Sequence, residues 1–169
     1  MKVFLYILLL TGLFGCGPKS RSGSGKTIVC PYDTITNKPN GLFLLVLNDS
    51  SSVGMRDGTT GNYYSVDSLN QISFSEIDTA YVEYVSTVKR NSIVINLSQT
   101  GRQNFEHITK TYVMRSLGLV LDGELIVAAQ ILSPIASSQV SLMFAESEDR
   151  VTCITRSILQ RAQKGKKRI

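Results

Sequence analysis

The sequence predicts an α+β domain: a largely antiparallel sheet of five or more strands with two helices packed on one face. Two observations carry this expectation. Short β-rich runs closed by turn residues outnumber helical ones, and the two segments with helical periodicity each carry a single apolar stripe. Leu42 to Leu47 (LFLLVL) is a continuous apolar run stopped by Asn48-Asp49-Ser50 and reads as a buried strand. Ser50 to Gly61 is rich in small and turn-forming residues and reads as a loop, with a short strand expected around Tyr63, Tyr64 and Val66. Ser75 to Asp78 fits a single helical turn, and Tyr81 to Val88 with Ser92 to Ser98 fits a hairpin. Thr100 and Gln103 have capping-box spacing, and Phe105, Ile108, Tyr112 and Val113 then give the buried face of a first helix. Asp122-Gly123 between Arg115–Leu121 and Glu124–Ile131 is a strong hairpin signal. Gln139 to Phe144 alternates Val140, Leu142 and Phe144 inward, and a second helix runs from about Glu146 to Ala162.

The first residues read as an address. Lys2 is followed by an apolar run from Val3 to Leu10 that continues to Phe14. A bilayer span needs about twenty such residues and a secretory signal core only about seven to fifteen, so residues 1–15 are expected to be a signal peptide. Leu13-Phe14-Gly15-Cys16 resembles the lipobox of bacterial lipoproteins, although Phe14 is bulkier than that slot usually holds. The resemblance implies a diacylglycerol on Cys16. Gly17 in place of aspartate implies an outer-membrane destination, facing the periplasm. Residues 16–41 are then the lipidated cysteine and a Gly/Ser/Lys-rich tether, 42–162 the domain, and 163–169 a basic tail. Gly25-Lys26-Thr27 ends like a phosphate-binding loop, but Ser20 stands where that loop needs glycine and no core strand leads in. No nucleotide or other cofactor is expected.

The formal charge of +5 resembles a nucleic-acid signal until it is located. Lys19, Arg21 and Lys26 lie in the tether, and Arg161, Lys164, Lys166, Lys167 and Arg168 crowd the other end. Residues 27–160 hold nine basic and thirteen acidic side chains, a net charge of −4. An acidic domain with basic ends excludes nucleic acid as the expected partner; the ends suit anionic headgroups, at about 1 kcal/mol per charge near a surface, or a solvated, frayed tail.

With Cys16 assigned to lipid, Cys30 and Cys153 remain. Cys153 falls off the stripe of Val151, Ile154, Ile158, Leu159 and Ala162, and so is expected to face outward. An outward cysteine in an oxidising compartment suggests a partner, so a Cys30–Cys153 disulfide is expected, with two unpaired thiols as the alternative. Catalytic and metal-binding patterns are missing, so no enzyme is expected. His107 sits opposite Phe105 on its helix, Asp122 and Glu124 are explained by a turn and by solubility, and Asp49 and Asp57 lack an enforced coordination geometry. Tyr63, Tyr64, Tyr81 and Tyr84 offer either an aromatic surface or strand packing.

Ile93 to Phe144 resembles the head subdomain of the first periplasmic region of SecD and SecDF, membrane subunits that assist protein export. The likeness rests on a glycine-containing turn before a helix with an F-x-x-[IL]-T core, here Phe105 to Thr109, on a strand ending in Asp122-Gly123, and on a Pro134-Ile135 step. It extends from about residue 42 to 160. The chain departs from that pattern at Met114-Arg115-Ser116, Ala129 and Ala136-Ser137-Ser138, and it carries no run long enough for a transmembrane helix. The resemblance therefore implies a fold and a surface suited to handling polypeptide, not a proton-driven translocase. Two functions follow as expectations. One is a lipid-anchored envelope protein that binds another envelope or exported protein through a sheet edge, with the Ser50–Gly61 loop adding selectivity. The alternative is a structural lipoprotein whose basic tail docks on acidic polymer or lipid.

Intact mass and thiol titration of the unreduced mature protein check the cysteine assignments. The expected species begins at Cys16, carries acyl chains and titrates no free thiol; a bare amino terminus or two reactive thiols contradicts them.

Overall fold

A computed structural model describes residues 30–32, 36, 38–48, 54–58 and 60–167. The expected signal segment, Cys16, the expected tether as far as residue 29 and the last two residues lie outside the described residues. Among the described residues, eight strands and two helices follow in the order β1 (Gly41–Asn48), β2 (Met55–Arg56), β3 (Tyr63–Ile72), β4 (Ile77–Val85), β5 (Arg90–Leu97), α1 (Gln99–Thr111), β6 (Ser116–Leu121), β7 (Glu124–Gln130), β8 (Gln139–Phe144) and α2 (Glu148–Lys166). Every ladder is antiparallel. The α+β class stands, but the strands divide between two sheets, ordered β2-β3-β1-β6-β7 and β4-β5-β8. The division falls at a 3-10 turn, Phe74–Glu76, capped by a reciprocal Ser73–Glu76 box that swings the chain out of the first sheet and into the second.

The five-stranded sheet rolls up. β2 and β7 stand at opposite ends of its order and still touch. All five strands place side chains in a small cluster inside the roll: Phe43, Leu45, Tyr64, Val120 and Leu125, edged by Met55, Val66 and Ala128. Leu42 and Leu44, one pleat away, enter the main core with Leu119, Ile93, Ile95, Phe105 and Ile154. Both faces of β1 are buried from Gly41 to Leu45, which accounts for the apolar run there, while Val46 and Leu47 of the expected buried strand are exposed. Gly118 lies inside the roll, where an added Cβ would come within 2.7 Å of Leu45 Cδ1 and 2.8 Å of Leu125 Cδ1.

Several expectations change locally. Ser98 caps α1, its hydroxyl accepting from Gly101 N at 3.2 Å, so the box expected at Thr100 and Gln103 is not the one formed. Helix and 3-10 turn meet too closely for another start: Ser98 N donates to Glu76 O at 2.8 Å, and a side chain at Gly101 would collide with that carbonyl. Val113 lies past the end of α1 and is 38% exposed. β3 is longer than expected because a bulge opposite Phe43 and Leu44 throws out Leu69, 91% exposed, and hides the period-two pattern. α2 continues to Lys166, whose ammonium lies 2.9 Å from Asp78 Oδ1, so residues 163–166 are helix and not a frayed tail.

Two charged residues gain partners that their positions in sequence conceal. Asp122 and Gly123 turn β6 into β7 with φ of 50° and 77°, as an Asp-Gly hairpin requires. The Asp122 carboxylate also pairs with Arg161, which is 5% exposed and belongs to the interior, not to a basic tail. The described residues before β1, 30–32, 36 and 38–40, form a strap across this end. Thr36 Oγ1 and Asn40 Nδ2 donate to Asp122 Oδ1 at 3.0 and 3.3 Å, Gly123 N donates to Pro39 O at 3.0 Å, and Arg161 Nη1 donates to Tyr32 O at 3.0 Å.

Burial alone would raise the Asp122 pKa; hydrogen bonds from Arg161, Thr36 and Asn40 outweigh it and hold the carboxyl below the usual carboxylate range. A depressed folded-state pKa gives stability that is complete above the unfolded value of about 4 and lost as pH falls through the folded value. Asp122→Asn keeps a residue tolerant of positive φ but leaves Arg161 without its carboxylate. The expected cost is about 3 kcal/mol in urea unfolding at pH 7, shrinking at pH values below the unfolded carboxyl pKa.

Candidate functional site

Four strands end the two sheets, and three are protected. β2 has only two residues and leans on β7. β4 carries Asp78 and Glu83, and α2 packs along it. β8, QVSLMF, has six residues, no charge and no proline, and among the described residues no strand pairs with its far side. Natural sheets usually guard such an edge with charge, proline or a covering element.

The ladder phase fixes what this edge offers. Leu97 N donates to Ser138 O at 2.7 Å, so Ser138 belongs to a hydrogen-bonded pair, and with β5–β8 register the same holds for Val140, Leu142 and Phe144. The peptide groups of Ser141 and Met143 therefore point away from β5, while Gln139 N is capped by Ser137 Oγ at 3.0 Å. The strand is held firmly from the other side. Ser92 and Ser141 hydroxyls meet at 2.6 Å, and Gln139 Nε2 donates to Asn96 Oδ1 at 3.1 Å.

Below the edge, between β8 and the end of β7, lies a crevice of about 150 Å³. Leu42, Leu117 and Leu119 make its floor, Phe105 and Ile135 its wall, and no ionisable side chain lines it. Thr109 shapes the wall. Fully buried, its hydroxyl donates to Phe105 O at 2.9 Å and accepts from Ile135 N at 3.0 Å, clamping the Pro134-Ile135 step onto α1. Two stretches noted separately in the sequence thus form one contact.

The other expected site residues disperse. Cys16 and Asp49 lie outside the described residues. Cys30 and Cys153 are brought together, Cα atoms 5.6 Å apart with sulfurs at bonding distance. Cys153 is 3% exposed, not outward, because the strap covers its flank of α2. His107 is exposed, and Glu124 faces Arg150 at 3.9 Å while Asp122 turns to Arg161. Asp57 is buried and accepts from Thr60 Oγ1 at 2.6 Å. Among the described residues no cluster of histidine, cysteine, aspartate or glutamate forms a metal cage. The four tyrosines sit on two different sheets, Tyr63 and Tyr64 on β3, Tyr81 and Tyr84 on β4. The described part of the Ser50–Gly61 loop borders a separate pocket of about 500 Å³ near Leu45, Tyr64 and Arg115, so it does not flank the β8 edge.

The family model described as SecDF, P1 head subdomain, matches residues 50–153. Two solved structures share the fold. One, "Crystal structure of SecDF in Super-membrane-facing form", is similar with a TM-score of 0.53 and 14% identity, over 70% of this chain and 18% of that one. The other, "Structure and function of a membrane component SecDF that enhances protein export", gives a TM-score of 0.53 and 14% identity over 72% of this chain and 62% of that one. The chain spans less than two thirds of either. A search of curated proteins found no match. Among the described residues no helix is long and apolar enough to cross a membrane.

Thr109→Val keeps the shape of the crevice wall and removes both hydrogen bonds. A loss of about 1–3 kcal/mol in urea unfolding is expected, with faster hydrogen exchange at the Ile135 amide.

Proposed function

Because the chain belongs to the SecDF P1 head subdomain family, we propose that it is a non-catalytic module that binds polypeptide in the extended state. The observation that carries this reading is the unguarded β8 edge with its outward peptide groups above an uncharged crevice. A chain added there gains main-chain hydrogen bonds from the edge and places alternate side chains in the crevice. Similarity to a membrane component that enhances protein export supports an exported or envelope polypeptide as the occupant.

We further propose that the module is held at the membrane by lipid on Cys16, at the outer membrane facing the periplasm, through the tether at residues 16–41. A Cys30–Cys153 disulfide would fasten the tether's end to α2. The alternative, a basic tail docking on acidic polymer or lipid, loses support from the geometry: Arg161 is inside with Asp122, and Lys166 is engaged with Asp78.

A photoreactive residue at Leu132, exposed beside the crevice, is expected to yield adducts with other polypeptides in cells, and one at Glu106 only background. Met143→Pro removes an edge N–H that β5 does not use. It should cut the Leu132 adducts about tenfold while changing stability by less than about 1 kcal/mol. Adducts unaffected by Met143→Pro would exclude the β8 edge, and their absence at Leu132 would exclude polypeptide binding there.

A further inference from the structure

The geometry points to a particular class of segment: we infer that β8 accepts an antiparallel strand with apolar and polar residues in strict alternation, and rejects continuous apolar runs. This rests on the polypeptide-binding reading above and goes on to specify the ligand. Ser141 and Met143 have main-chain donors and acceptors aimed at the free edge, and their side chains lie on the outer face of the three-stranded sheet, where Met143 is 54% exposed. A residue opposite either one exchanges two hydrogen bonds with it, and its own side chain lies on that same outer, watery face. The alternate residues, one between them opposite Leu142 and one beside them opposite Val140, point their side chains toward the crevice.

The two sides impose opposite chemistries. With no ionisable group in the lining, the crevice offers a buried charge no partner, and desolvation excludes it. A cavity of about 150 Å³ walled by leucine, isoleucine and phenylalanine takes up a solute the size of benzene, so one aromatic or branched aliphatic side chain fits. The outer face returns less for apolar surface: a side chain opposite Ser141 stays in water, and one opposite Met143 can cover only that side chain, itself 54% exposed. A run that is apolar throughout thus leaves half its side chains with little shelter. Proline opposite Ser141 or Met143 is excluded, because it has no N–H to give.

Fluorescence anisotropy with the full mature chain and labelled synthetic peptides tests this. Three sets are needed: alternating peptides, peptides of the same composition with the apolar residues in one block, and alternating peptides N-methylated at either the polar or the apolar positions. Alternating peptides are expected to bind about tenfold more tightly than blocked ones, as the loss of one buried group implies. N-methylation at polar positions should abolish binding, and at apolar positions should be tolerated. Equal binding of blocked and alternating peptides overturns this inference and leaves the polypeptide-binding reading intact. Loss on N-methylation at apolar positions instead overturns the antiparallel arrangement, and tolerance at both overturns strand addition. Failure of every peptide to bind overturns the proposed function itself.

Discussion

The fold closes on a single carboxylate. Asp122 sits at the tip of the β6–β7 turn, and its two oxygens collect Arg161 from α2 with Thr36 and Asn40 from the strap. Three chain segments far apart in sequence are thereby tied at one point. Removing water from an aspartate and an arginine costs several kcal/mol per ion, so the pair is tolerable only because further donors complete it. Arg161 extends the knot by donating to the Tyr32 and Ser157 carbonyls. The proposed Cys30–Cys153 bridge would secure the same strap again. Closing a loop over a sequence separation of 123 is worth about 4–5 kcal/mol in the chain-entropy account.

Local signals were readable where the physics is local. The Asp-Gly turn needs only two residues able to take positive φ, and the β8 alternation needs only the pleat. The apolar stripes of both helices likewise carried through to Phe105, Ile108, Val151, Ile154 and Ile158. What stayed hidden depends on partners distant in sequence. Arg161 looked like one of a terminal basic run because nothing near it announces Asp122. Cys153 looked outward because a helical wheel does not include the strap that covers it. The division into two sheets was hidden for the same reason: each ladder is plausible alone, and only the roll of β1 with its neighbours decides which edges can meet.

The site was half legible. Thr109 and Pro134-Ile135 stood out as pattern, but their meaning lies in a contact across 26 positions, where one hydroxyl serves a helix carbonyl and a loop amide. The absence of charge in QVSLMF was plain to read. Its consequence was not, because an uncharged strand is unremarkable in the middle of a sheet and informative only at an edge. The loop at Ser50–Gly61 was the reverse case: its composition suggested a recognition element, yet its described part borders the pocket at the other sheet.

An edge recognises an incoming strand well only if its own geometry does not adapt, since main-chain hydrogen bonds weaken steeply with angle and ordering both partners costs entropy. β8 meets that condition from behind. Its inward peptide groups are spent on β5, Ser92 holds Ser141 from the outer face, and Thr109 fixes the connection that leads into the strand. None of these contacts uses the outward groups of Ser141 and Met143. Rigidity and availability thus fall on opposite sides of the same strand. The strap and its ion pair, at the β6–β7 turn, hold the domain by groups that the β8 edge does not share.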